Sequence, residues 1–219
     1  MSAQSIFDLP SYVQSSFVGL IVTQLEVALG ATLTGLVISL PIGQLCSRLP
    51  KFYPPVLGLV TIFYSIPSIA LFVLLIDITG ESETTVFIPL TVYTLAILVP
   101  GVVDGIRSVP PNVLDAADGM GYSRSRRFVT VELPIALPTL MAAVRVAAVS
   151  SLSLMSIGAT IGNYGGFGDL FLLGLRFFDN QLIMVGLISL LVLSVACDLL
   201  LRWIQRLLTP WASSLRRAG

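Results

Sequence analysis

The sequence predicts an all-α integral membrane protein, and three observations carry that prediction. Charged residues make up only 11% of the 219-residue chain, against roughly 25% in soluble domains. Mean hydropathy is +0.94, and several apolar runs reach the roughly 20 residues a helix needs to cross about 30 Å of hydrocarbon. Finally, the basic residues gather at alternate ends of those runs. The total formal charge is zero, so it says nothing about partners beyond the lipid bilayer, and no nucleic acid is expected among them.

Five spans follow in order, in one transmembrane domain over residues 1–219. The first, about 17–45, is the longest apolar run. The second, about 56–76, contains Pro67, where it is bent or divided into two short helices. The third, about 86–106, has Pro89 and Pro100 near its ends. The fourth is about 135–161 and the fifth about 182–203. Proline and glycine inside such spans are tolerated because neighbouring helices, side chains or water satisfy the freed backbone groups. Ile6, Phe7, Leu9 and Tyr12 read as a short interfacial anchor ahead of the first span.

Orientation comes from the cations. Arg48, Lys51, Arg107, Arg124, Arg126, Arg127, Arg202, Arg206, Arg216 and Arg217 fall on one side, and Arg176 alone on the other. The positive-inside rule then puts the N-terminus outside and the C-terminus in the cytoplasm. No Lys or Arg precedes Arg48, so the basic n-region of a signal peptide is missing. Cys46 and Cys197 lie far apart, towards the side where thiols stay reduced, and support neither a zinc site nor a disulfide framework.

The loop between spans three and four, about 107–134, is the most polar stretch, and its segment DAADGMGYSRSRRFVTVELP (115–134) carries six of the chain's twenty-four charges. Pro110 and Pro111 suit a helix start, with Asn112 a possible cap. Leu114, Ala117 and Met120 recur at helical spacing, and Ala116 and Ala117 keep one surface low. Gly121 can take a left-handed conformation and end that helix. Ser123 can cap a second short helix through Arg126 and Arg127, limited by Pro134. The product is a compact helical hairpin on the cytoplasmic face.

Asp115-Ala116-Ala117, Gly121 and Val131-Glu132-Leu133-Pro134 resemble the EAA loop of ABC importer permeases, EAA-x3-G-x9-I-x-LP. The spacing matches throughout, with Asp for Glu at the first position and Val for Ile before the LP. The segments YSIPSIALFVLL (64–75), GIRSVPPNVLDAADGMG (105–121), LPIALPTLMAAVRVAAV (133–149) and ATIGNYGGFGDLFLLGL (159–175) look like permease subunits of osmoprotectant importers. That is the glycine betaine, carnitine and choline branch, and the similarity covers most of the chain from about residue 55.

The resemblance implies the importer-permease fold in a bacterial or archaeal plasma membrane. It implies a coupling helix that docks on a separate ATPase, a second permease (the same chain or a paralogue) and an extracytoplasmic solute-binding protein. The chain has no GxxxxGK[ST] sequence, so ATP and Mg belong to the partner ATPase and no cofactor to this chain. Alternating access is the implied mechanism. A methionine-like solute or another amino acid derivative is the alternative substrate; a passive channel or an intramembrane enzyme is the remote one. Such an enzyme needs a nucleophile with its base, or metal ligands, in one cavity, and the chain has no histidine.

Other features carry more than one reading. Tyr64, Ser65 and Pro67 either line a translocation path or serve helix packing. Gly162, Gly165, Gly166 and Gly168 read as a tight re-entrant or surface turn. Phe167, Phe171, Phe177 and Phe178 suit either a cation–π cage or anchoring at the membrane interface. Two charges fall within spans at matching depth: Glu26 about 13 Å below the outer surface and Arg145 about 15 Å above the inner one, at 1.5 Å per residue. Intramembrane charges usually find partners, so an ion pair between Glu26 and Arg145 is expected. The alternatives are Arg145 on backbone carbonyls, or Glu26 attracting a cationic substrate.

Overall fold

In the computed structural model, residues 11–80, 82–162 and 165–211 are described, with side chains in the first helix from Phe17 onward; Ile6, Phe7, Leu9 and the Tyr12 side chain lie outside that set. The helices are α1 (Ser11–Arg48), α2 (Tyr53–Ser65), α3 (Ser68–Thr79), α4 (Glu83–Arg107), α5 (Pro111–Gly119), α6 (Arg124–Arg127), α7 (Leu133–Gly162), α8 (Gly168–Phe177) and α9 (Asn180–Leu208). Four long apolar runs, Phe17–Arg48, Glu83–Arg107, Arg124–Ile161 and Asn180–Leu208, are sufficient to cross a membrane, and α2 with α3 forms a fifth, bent by 87°.

The bend has a local cause. Pro67 offers no N–H and forces the preceding residue out of the helical region, and Ile66 is extended with ψ 129°. The carbonyl this frees is not wasted: Tyr93 Oη donates to Ile66 O at 2.7 Å, and the Tyr64 ring meets the Tyr93 ring edge-on at 5.8 Å.

Helix α4 is the central pillar. It packs on α1 and α7, and more lightly on α2 and α3, while α9 packs on α7 and α8. Water is not the solvent around these helices, so apolar burial provides little drive and close approach of backbones provides more. Two glycines show it: a Cβ added at Gly35 would strike the Thr94 hydroxyl, and one at Gly101 would strike the Ala143 methyl. Polar side chains add fixed points. Gln24, fully buried, donates to Leu152 O (2.6 Å) and Ser156 Oγ (2.9 Å) on α7 and accepts from Phe167 N (2.9 Å).

The glycine-rich segment differs from the turn read in the sequence. Gly165 and Gly166 do turn, with φ of +84° and +77°, but they lead into α8. That ten-residue helix ends on left-handed Phe178, and Asp179 caps α9 by accepting from Gln181 N at 2.9 Å.

Gly101→Val is expected to destabilise the fold by about 1–3 kcal/mol, the usual cost of overpacking. Gly19→Ala, where an added Cβ meets nothing within 4 Å, should be near neutral. Thermal midpoints of the two variants in detergent check the difference.

Candidate functional site

The loop between α4 and α7 forms the polar end of the molecule. Pro110, not Asn112, precedes α5, and no side chain caps its start: Pro111 already occupies the first helical position, leaving Asn112 inside and exposed. The other end closes in a Schellman pattern, with Gly121 N donating to Asp118 O (3.0 Å) and Tyr122 N to Ala117 O (3.2 Å). Such a turn needs a left-handed residue, and Gly121 supplies φ +77°. Ser123 Oγ then accepts from Arg126 N at 3.4 Å and starts α6.

Pro134 does not limit this second helix. Residues Phe128–Glu132 form a π-helical turn, Leu133 N donates to Phe128 O, and the chain runs on into α7. The widened turn lies where Pro134 would otherwise break the α-helical ladder. Val131 and Leu133 are half-buried beside it.

Exposure divides the small-residue surface in two. Ala117 is 1% exposed and packs inward, so its small side chain serves close packing within the subunit and cannot form a docking surface. Asp115, Ala116, Gly119 and Gly121 are exposed, and Met120 is 68% exposed. These residues form the outward strip. Behind the hairpin lies a recess of about 960 Å³, lined by Arg48, Arg107, Tyr122, Arg124, Arg127 and Glu132 among others. Arg126 lies over the Tyr122 ring at 4.6 Å, and Arg107 over the Tyr53 ring at 4.9 Å.

The intramembrane pair expected between Glu26 and Arg145 is absent. Among the described residues, ion pairs within 4.0 Å join Arg127 to Asp118 and Glu132, and both Arg145 and Arg202 to Asp198. Arg145 Nη2 is 2.7 Å from Asp198 Oδ1, and Nη1 reaches Gln205 Oε1 at 3.5 Å while Gln205 donates to Pro138 O at 3.0 Å. Glu26 is exposed because the buried stripe of α1 runs through Gln24, Val27, Ala28, Ala31 and Thr32, and a residue two places from Gln24 points about 200° away on a helix. With span five ending near residue 203, Asp198 lies close to its C-terminal end. Helix α9 continues to Leu208, which moves Asp198 from about 8 to about 15 Å from the C-terminal end of its helix, where it meets Arg145.

Tyr64, Ser65 and Pro67 are all exposed at the bend, and most of α2 and α3 is exposed with them; Val60 and Phe72 are their buried residues. The four phenylalanines do not converge on a cage. Phe167 is buried and tilted against Phe17 with centroids 5.9 Å apart, whereas Phe177, the last residue of α8, and Phe178 after it are exposed. Asp169 sits beside Phe167; burial pushes its carboxyl up, opposed by a hydrogen bond from the Gly165 backbone.

A polytopic bundle of apolar helices, with a broken span and a helical hairpin closing one end, is the architecture of a multi-pass membrane protein. Residues 33–214 match the family described as binding-protein-dependent transport system inner membrane component, and the chain belongs to that family. It is a multi-pass plasma-membrane permease of an ABC importer. It is 34% identical over 184 residues (80% of this chain, 83% of the relative) to the osmoprotectant import permease protein OsmW of Salmonella typhimurium. It is 30% identical over 195 residues (89% of each) to the carnitine transport permease protein OpuCB of Listeria monocytogenes. The fold is similar to that of an inward-facing MetNI methionine ABC transporter, with TM-score 0.80 and 24% identity over 92% of this chain and 100% of that one.

Asp198→Asn leaves two guanidiniums without a carboxylate; because the pair is part-buried, it is expected to cost about 1–3 kcal/mol, less than the loss for a fully buried pair. Glu26→Gln breaks none of these ion pairs and should cost less than Asp198→Asn. Unfolding of the detergent-solubilised variants measures both, and equal losses would revive the pair with Glu26.

Proposed function

We propose that this permease imports small osmoprotectants, quaternary ammonium compounds such as glycine betaine, carnitine and choline. Support comes from relatives named for carnitine, choline or osmoprotectant transport, which match over 80% or more of this chain. The methionine alternative has less behind it, since the likeness to the methionine transporter is one of fold at 24% identity.

The observation that carries the coupling role is the outward strip on the hairpin. Asp115, Ala116, Gly119 and Met120 offer a low, exposed surface fixed at both ends to long helices, a shape suited to a cleft in a partner ATPase. That ATPase holds ATP and Mg; this chain supplies the path. The path reading of Tyr64, Ser65 and Pro67 is supported by their exposure at the bend, since irregular helix at membrane depth borders protein or a water-filled cavity. A second permease subunit facing α2 and α3 provides both, and an extracytoplasmic binding protein delivers the solute. Closure of the ATPase pair then switches the side to which the path opens. A nearly complete switch needs ATP to favour one state by about 5 kcal/mol. Orientation is N-terminus outside, with the hairpin in the cytoplasm, on the strength of the basic asymmetry.

Co-expression with its ATPase in cells lacking osmoprotectant uptake tests this reading. Labelled betaine, carnitine or choline should enter under osmotic stress, and excess methionine should not compete. Ala116→Arg should release the ATPase on purification while the permease stays in the membrane. Retained ATPase and normal uptake in that variant would remove the hairpin from coupling.

Orientation is tested separately. A cysteine replacing exposed Thr84 should react with an impermeant thiol reagent applied to intact cells, and one replacing Ser125 should not. The reverse pattern inverts the topology.

A further inference from the structure

We propose that Arg127 is a positioning residue that locks the coupling hairpin to α7, so that the two move as one lever. The inference rests on the coupling role proposed above and adds the device that transmits the motion. Arg127 Nε donates to Glu132 Oε1 at 2.8 Å, and its Nη1 pairs with Asp118 Oδ2. Asp118 is in the last turn of α5, and Glu132 ends the π-helical turn at the root of α7. One guanidinium therefore spans the joint between the docking helix and the membrane helix.

The geometry depends on the π turn. Side chains five residues apart do not meet on an α-helix, where neighbours are three or four apart. A turn closed by i→i+5 hydrogen bonds brings Glu132 back beneath Arg127. Glu132 is only 3% exposed, and a buried carboxylate without a partner is costly, so it demands Arg127 in this one place. An arginine is suited to the task because its planar fork holds two acceptors in fixed directions, as a lysine ammonium does not. Other contacts also hold the hairpin: Ala117 is buried, Arg48 Nη2 reaches Arg124 O at 3.4 Å, and the Gly121 turn links α5 to α6, but among the described residues the Arg127 pairs are the ion pairs of the hairpin.

The test separates the brace from folding and from the coupling reading itself. Asp118→Ala cuts only the α5 end of the brace, at an exposed side chain, and leaves Arg127 on Glu132. Arg127→Met with Glu132→Met removes the buried charge together with its partner. In proteoliposomes holding the full transporter, solute imported per ATP hydrolysed should fall about fivefold or more in both, the scale of a typical coupling free energy. Arg127→Lys should fall between these variants and the wild type. Amide hydrogen exchange on the permease alone supplies the second readout: residues 113–122 should exchange faster in Asp118→Ala, by a similar factor, with 140–155 unchanged. Unaltered exchange in 113–122, or an unaltered transport ratio in both brace variants, would overturn the proposal. Failure of the wild-type chain to bind an ATPase would sink the coupling reading instead, and the exchange result would still decide the brace.

Discussion

A polar group in hydrocarbon has no water to turn to, and the interior of this protein is organised around supplying partners for such groups. The carbonyl freed at the Pro67 bend receives the Tyr93 hydroxyl. Gln24 uses both ends of its amide, tying α1 to α7 and to the turn before α8. Arg145, Asp198, Gln205 and the Pro138 carbonyl form one chain of contacts between α7 and α9. Each pairing joins separate helices, so satisfying the groups and assembling the bundle are the same event.

Between these fixed points, close approach of small residues sets the spacing. Gly35 against Thr94 and Gly101 against Ala143 let α1, α4 and α7 form a dense unit. Helices α2, α3 and α9 pack on its flanks and leave wide apolar faces uncovered, with Leu59, Ile62, Ile78, Leu191, Val195 and Leu199 all more than half exposed. Such faces are what membrane-spanning helices present to hydrocarbon. The hairpin joins the dense unit, through α4 on one side and α7 on the other.

Much of the hairpin was legible in the sequence, because its shape depends on local chemistry. Gly121 marks a backbone that requires φ near +77°, and Ser123 is a capping residue by its own side chain. The inward turn of Ala117 and the π-helical turn before Pro134 were not legible. A small residue is equally suited to a docking face and to a tight internal contact, and only the packed neighbours choose between them. Likewise, the Arg127–Glu132 pair is five apart and looks unpaired by α-helical spacing.

The sequence by itself determined the class, the apolar helices, the bend in span two and the site of the hairpin, because hydropathy, proline sterics and glycine conformation act over a few residues. The tertiary structure decided which charges meet. Depth along a span, estimated from uncertain ends, pointed Arg145 to Glu26. The azimuth of each helix turned Glu26 outward and brought Asp198 round to Arg145. Azimuth is fixed by how whole helices pack, through contacts such as Gln24 with Leu152 and Gly101 with Ala143, and no single helix carries that information alone.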